Sequence, residues 1–138
     1  METDQLAGIK VMVIDDSNTI RRSAEIFLLQ AGCVVILAED GFDALSKIAD
    51  QKPDLIFVDI MMPRLDGYQT CALLRRNAKF MHTPVVMLSS KDGLFDRARG
   101  RMVGSDLYLT KPFTKDELLR AVAAYVRREP EAQALENR

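Results

Sequence analysis

Apolar and polar positions alternate along this chain in two rhythms. Ile9 to Ile14 is an apolar run broken only by Lys10, and it predicts a first strand. After Asp15-Asp16-Ser17-Asn18, Ile20, Ala24, Phe27, Leu28 and Ala31 recur at helical spacing. Ser17 or Asn18 suits the cap, and Gly32 closes the helix. Val34 to Ala38 is a second strand, and Glu39-Asp40-Gly41 a turn. Ala44, Leu45, Ile48 and Ala49 mark a short second helix ended by Pro53. Leu55 to Asp59 is a third strand, and a helix follows from about Tyr68 to Asn77. Val85 to Leu88 is a fourth strand, ending in Ser89-Ser90. Leu94, Phe95, Ala98 and Met102 line one side of the next helix, which Gly104-Ser105 ends. Asp106 to Thr110 is a short fifth strand. Thr114 and Glu117 have the spacing of a capping box, and Leu118, Ala121, Val122 and Tyr125 form a last amphipathic helix to about Arg128.

Five strands alternating with five helices predict a parallel sheet with helices on both faces. For five strands the common arrangement is the flavodoxin-like, doubly wound (βα)5 α/β fold with strand order 2-1-3-4-5. One domain is expected over 9–128, with a flexible N-terminus over 1–8 and a polar tail over 129–138.

Composition narrows the function. The chain has 138 residues, with 19 basic against 20 acidic side chains. Such a balance lacks the basic excess of a duplex binder, so nucleic acid is not expected as partner. No apolar stretch is long enough for a membrane span, and the polar start lacks the pattern of a secretory signal. A cytoplasmic protein is expected. Cys33 and Cys71 stand far apart in sequence and suit buried free thiols. With one histidine, His82, in a polar segment, a zinc site is not expected.

The third strand carries the informative conflict. Its apolar residues run into one carboxylate, Asp59, which is costly unless solvated, paired or bound. On its own, Asp59 is more readily a strand-end residue capping the next loop. However, all strand C-termini of a parallel sheet lie along one edge, where ligands bind. The first strand delivers Asp15 and Asp16 there, the third Asp59, the fourth Ser89 and Ser90, and the fifth Lys111. Two carboxylates about 4 Å apart repel by ~4 kcal/mol at an effective dielectric of 20. Lys111 supplies one counter-charge and a divalent cation two. Carboxylate oxygens without nitrogen or sulfur ligands suit Mg2+. Such a site suits phosphoryl transfer with a carboxylate attacking in line.

The residues that form this edge also carry a resemblance. Val13-Ile14-Asp15-Asp16-Ser17, Val58 through Gly67, Met87-Leu88-Ser89-Ser90 and Tyr108-Leu109-Thr110-Lys111-Pro112-Phe113, in this order and at this spacing, resemble the receiver domain of two-component response regulators. The resemblance spans about residues 8 to 128. Within the family, the stretch from Phe57 to Leu73 is most similar to single-domain regulators of chemosensory systems for type IV pilus twitching motility.

The resemblance implies a role for each matching position. Asp59 matches the phosphoacceptor, and Asp15 and Asp16 the magnesium-binding acids. Met61 matches the position whose backbone carbonyl completes the metal site. Ser89 matches a hydroxyl that swings toward the phosphoryl group, and Lys111 its lysine partner. Tyr108 matches the aromatic that turns inward on activation, and Lys111-Pro112 a cis peptide. Met61 and Lys91 flank the site where access of water is shaped. The implied partners are a histidine kinase of a chemosensory system and a protein target on the face of the fourth helix, fifth strand and fifth helix. A monomer without membrane insertion is expected.

Within the family, a stand-alone chemotaxis or phosphorelay receiver with a different output is the alternative, and full retention of the acids, Ser89 and Lys111 argues against a degenerate receiver that signals without phosphate. Two functions outside it fit less well. A phosphatase of the aspartate-nucleophile class needs a second acid two residues after its nucleophile, where Met61 stands. A nucleotide-binding module of similar fold needs a glycine-rich loop after the first strand, where Asp15-Asp16 stands. Plain helix-start, strand-end and half-buried-strand roles remain open for Asp15 or Asp16, Ser89 and Tyr108 respectively.

Overall fold

A computed structural model of the chain describes residues 6–90 and 94–126. Five parallel strands, β1 (Lys10–Ile14), β2 (Val34–Ala38), β3 (Leu55–Asp59), β4 (Val85–Ser89) and β5 (Leu107–Thr110), form one sheet in the order 2-1-3-4-5. Between and after them run α1 (Asn18–Gln30), α2 (Gly41–Gln51), α3 (Gly67–Arg76), α4 (Leu94–Met102) and α5 (Lys115–Val126). This is the flavodoxin-like arrangement expected from the alternation.

The period of two along each strand divides the core. Met12, Ile14, Ile56, Val58, Val85 and Met87 face one way and pack with Ala44 and Ile48 of α2 and Tyr68, Cys71 and Leu74 of α3. Their neighbours Val11, Val13, Leu55, Phe57, Val86 and Leu88 face the other way, against Ala24 and Leu28 of α1 and Leu118, Ala121 and Val122 of α5. Full burial of a side chain such as Phe57 or Leu28 stabilises by about 1.5–3 kcal/mol. β3 and β4 are buried along their whole length, as strands covered on both faces must be. Cys33 and Cys71 are free and buried, and burial pushes both thiols up to about 11.

Helix starts fix how the strand ends are presented. The Ser17 hydroxyl accepts from the Ile20 amide and caps α1. Asp40 caps α2 by accepting from the Asp43 amide at 2.7 Å. Asp66 and Gln69 form a reciprocal capping box on α3. Thr114 and Glu117 do the same before α5, as their spacing predicts.

Of the N-terminus expected over 1–8, residues 1–5 lie outside the described residues, while Leu6 is buried in the core cluster that α1 and α5 cover and the Gly8 amide donates to the Gly32 carbonyl at 3.0 Å. The apolar stripe expected on α4 is corrected in part: Ala98 and Met102 are exposed, while the side chains of Leu94 and Phe95 lie outside the described residues. Gly100 is buried against Met87 and Ser105, and Val103 packs on the core beside it. This side of the helix packs on the sheet, with room for a methyl at Gly100 at ordinary contact distance, while Ala98 and Met102 face solvent. The expected end of the last helix at Arg128 and the tail after it lie outside the described residues.

Candidate functional site

β1 and β3 are neighbours, and their C-terminal ends lie at the point where the chain order reverses from β2 to β4. Asp59 is the last residue of β3, and Asp15 and Asp16 follow the last residue of β1. Their carboxylate oxygens lie within 4.8 Å of one another. Asp15 and Asp59 are buried, and Asp16 is exposed. The loop after β5 brings Lys111 between the two buried acids. Its Nζ lies 3.2 Å from Asp15 Oδ2 and 3.0 Å from Asp59 Oδ1. The Lys111-Pro112 peptide is cis, as the resemblance implies.

Each buried carboxylate is held by the backbone as well. The Ser17 amide donates to Asp15 Oδ1 at 2.8 Å, so the start of α1 aims Asp15. The Met61 amide donates to Asp59 Oδ1 at 3.3 Å, while the Met61 side chain stands 73% exposed over the site. Ser89 is buried at the end of β4, and its carbonyl accepts from the Lys111 amide at 2.6 Å. Ser89 pairs in register with Thr110, so one ladder step ties the hydroxyl-bearing residue to the lysine-bearing loop.

The site is electrostatically uneven. Burial pushes the Asp59 carboxyl up to about 7, and the adjacent acids add to this against the opposing hydrogen bond from Lys111. Burial also works against the Lys111 ammonium, but Asp59 and Asp15 outweigh it and hold its pKa above the usual value. The asymmetry has a simple cause. One cation faces two carboxylates, whereas Asp59 shares that cation with Asp15 and sits beside another acid. The cluster is therefore short of positive charge. Its ligand atoms are oxygens, which fit a hard divalent cation rather than zinc. A buried carboxylate at a strand end, one lysine and room for a cation can together receive a phosphoryl group.

Tyr108 lies on β5, opposite Met87 of β4, and is half-buried against the α2–α3 side of the core. The Arg97 guanidinium of α4 sits 5.5 Å from its ring centre. Thus the structure brings Asp15, Asp16, Asp59 and Lys111 together in direct reach, with Ser89 at the same edge and Tyr108 one strand outward. Lys91 lies outside the described residues.

Other contributors were not legible as such in the sequence. A Cβ on Gly67 would lie 2.4 Å from the Asp59 carbonyl oxygen and 2.8 Å from Ile60 Cα. Gly67 thus lets α3 start directly under the Asp59 backbone, and its place in Leu65-Asp66-Gly67 was the available signal. Arg21 donates to the Asp15 carbonyl and to Asn18 Oδ1, bracing the β1–α1 loop.

Comparison with known proteins agrees with this geometry. Residues 11–123 match the response regulator receiver domain. The chain is 70% identical over 122 residues to protein PilG of Pseudomonas aeruginosa, covering 88% of this chain and 90% of that protein. It is 43% identical over 119 residues to the alkaline phosphatase synthesis transcriptional regulatory protein PhoP of Bacillus subtilis, covering 86% of this chain and 49% of PhoP. The solved structure of the Vibrio cholerae chemotaxis protein CheY4 superposes with a TM-score of 0.83 at 32% identity, covering 86% of this chain and 99% of that one. A Francisella receiver domain gives 0.80 at 37% identity, over 88% and 98% of the two chains. With the sheet order, the acid cluster and the family match in agreement, the chain belongs to the response regulator receiver family.

Proposed function

We propose that the chain is a phosphorylation-driven switch that takes a phosphoryl group on Asp59 from a chemosensory histidine kinase. The observation that carries this reading is the convergence of Asp15, Asp16 and Asp59 on one cation-deficient cluster beside Lys111. Asp15, Asp16, Asp59 and the Met61 backbone carbonyl would hold Mg2+. When bound, the ion supplies charge neutralisation to the oxygens of the incoming phosphoryl group.

The chain's own residues do the rest. An Asp59 carboxylate oxygen attacks phosphorus in line, forming an O–P bond as the N–P bond to the kinase histidine breaks. The Met61 amide and Lys111 hold Asp59 in place for the attack. Lys111 then pairs with a phosphoryl oxygen, and Ser89 donates to another. The product carries roughly two additional negative charges. Moving a two-state switch from 1% to 99% active takes ~5.5 kcal/mol of differential stabilisation. A few charge-assisted hydrogen bonds of about 1.5–3 kcal/mol each reach that size. Ser89 draws toward the phosphoryl group, and Tyr108 turns inward. The face formed by α4, β5 and α5 then changes its affinity for a protein target.

The protein acts as a signalling switch, and its only chemistry is its own phosphorylation and dephosphorylation. The similarity to PilG, together with the resemblance over Phe57–Leu73, supports a role in controlling type IV pilus twitching motility. A cytoplasmic monomer fits this role. The test is a comparison of partners retained by wild type and Asp59→Asn, each with Mg2+ and beryllofluoride as phosphoryl mimic. Retention of a partner by wild type alone is expected. Equal retention by both would show that phosphorylation is not the switch.

A further inference from the structure

At the end of the sheet opposite Asp59 lies a pocket of about 330 Å³, lined by Lys52, Pro53, Lys79, Phe80 and Thr83. Pro53 stands just before β3 and Thr83 just before β4, so the length of both strands separates the pocket from the acid cluster. Its walls are fixed. Pro53 and Phe80 are buried, and the Phe80 and Thr83 carbonyls accept from the Arg75 guanidinium at 3.0 and 2.8 Å. Lys52, the C-cap of α2, has a left-handed backbone with φ 48°, and its amide donates to the Ile48 carbonyl at 2.9 Å. The charge at this end is the reverse of that around Asp59. Lys52 and Lys79 line the pocket, Arg76 is exposed at the end of α3, and none of the three has an acidic partner among the described residues. The nearest acids in sequence, Asp50 and Asp54, do not line it, and the Asp54 carboxylate accepts from the Lys10 amide at 2.8 Å. The C-termini of α2 and α3 point here with roughly half a negative charge each, which the two whole ammonium charges exceed.

From this arrangement we infer that the pocket docks a segment of a partner protein in which an aromatic side chain stands next to a glutamate or aspartate. The ring rests on Pro53 and Phe80. The carboxylate lies between Lys52 and Lys79, with the Thr83 hydroxyl donating to it. Lysine holds such a group as a point charge, on an apolar stem that extends the floor. Arg76 and Met81, which is 45% exposed, offer further contacts on the α3–β4 connection. A segment fits better than a flat anionic lipid surface, because the two lysines line a recess that a flat surface would leave empty. With acids at one end of the sheet and unpaired cations at the other, an acidic partner is steered to this end. The inference goes beyond the phosphorylation switch and does not rest on it.

The test uses the full chain, labelled with nitrogen-15, and short peptides that share one Phe and carry Glu, Gln or Lys on both sides of it. Amide NMR shifts locate the binding, and fluorescence anisotropy of fluorescein-labelled peptides at two salt concentrations gives the affinity. The Glu peptide is expected to shift the Lys52, Lys79 and Thr83 amides. It should bind about fivefold or more tighter than the Gln and Lys peptides, and more weakly at high salt. Lys52→Glu/Lys79→Glu is expected to lose about tenfold or more in affinity for the Glu peptide, since two attractions become two repulsions. Lys52→Gly/Lys79→Gln removes both charges while glycine adopts the left-handed backbone freely, and is expected to lose about threefold or more. Arg22→Glu, in the first turns of α1 at the acid-cluster end, is expected to bind as wild type does. Equal binding of the Glu and Gln peptides, shifts confined to residues outside the pocket, or equal losses in the lysine and Arg22 variants would overturn the inference. So would lysine-dependent binding to phosphatidylglycerol vesicles with no binding of any peptide, which would make this end a membrane contact instead.

Discussion

Lys111 Nζ sits 3.0 Å from Asp59 Oδ1 and, at the same time, 3.2 Å from Asp15 Oδ2, so one ammonium group bridges the ends of two adjacent strands. Replacing it by a neutral chain of similar length leaves two buried acids facing each other. The metal-free Lys111→Met protein is expected to be less stable by about 1–3 kcal/mol, between the values for exposed and fully buried pairs. Its affinity for Mg2+ is expected to rise, because a competing cation is gone. Urea denaturation and calorimetric Mg2+ titration check both signs, and weaker Mg2+ binding would contradict this role for Lys111.

Asp59 makes the metal-free protein sensitive to pH. Its carboxyl is raised from 3.8 to about 7 by burial, helped by the adjacent acids. Between these values the folded protein keeps a proton that the unfolded chain has released. Through this group, stability therefore falls as pH rises from about 4 to about 7 and levels off above that. Asp59→Asn should flatten that decline and raise the metal-free melting temperature at pH 7.5. Saturating Mg2+ should stabilise wild type more than the variant at that pH. Parallel pH–stability curves for the two proteins would rule out a raised Asp59.

Two glycines should respond in opposite directions to alanine. At Gly67 the added methyl meets the Asp59 backbone at 2.4 Å, so a shift of α3 or β3 is forced. Gly67→Ala is expected to cost about 1–3 kcal/mol and to weaken Mg2+ binding through a displaced Asp59. At Gly100 the nearest atoms would be 3.6 Å away, an ordinary contact within a helix. Gly100→Ala is expected to stabilise by about 0.5–1 kcal/mol. Thermal denaturation of the two variants distinguishes a close approach from mere helix propensity.

Arg75 joins segments far apart in sequence. Its guanidinium donates to the carbonyls of Phe80, Thr83 and Gly104 and to Asp106 Oδ2, at 2.8–3.0 Å. It thereby ties the end of α3 to the turn that positions α4 and β5. Removing it strands several partly buried acceptors. Arg75→Met is expected to destabilise by about 2–4 kcal/mol, with Mg2+ affinity nearly unchanged. A loss below 0.5 kcal/mol would show that water replaces it freely.

The contrast between Arg75 and Asp59 explains what the sequence made legible. β3 and β4 are short apolar runs buried on both faces, so their local pattern announces them. In a parallel sheet, knowing the strands is knowing which residues share an edge, and Asp15, Asp16, Asp59, Ser89 and Lys111 followed from that. Leu6 and Arg75 act through partners distant in sequence and Gly67 through a close approach of backbone, and periodicity carries no trace of either. The exposure of Ala98 and Met102 on α4 escaped for a related reason. An apolar count favours Ala98 and Met102, whereas close packing on the sheet favours the face that bears Gly100.

Intact-mass spectrometry after incubation with acetyl phosphate tests the central claim most directly. With Mg2+, the wild-type chain is expected to gain the mass of one phosphoryl group, lost on removal of Mg2+ or in Asp59→Asn. Labelling of Asp59→Asn to the wild-type level, or labelling of wild type that persists without a divalent cation, would contradict the assignment of Asp59 and its neighbouring acids.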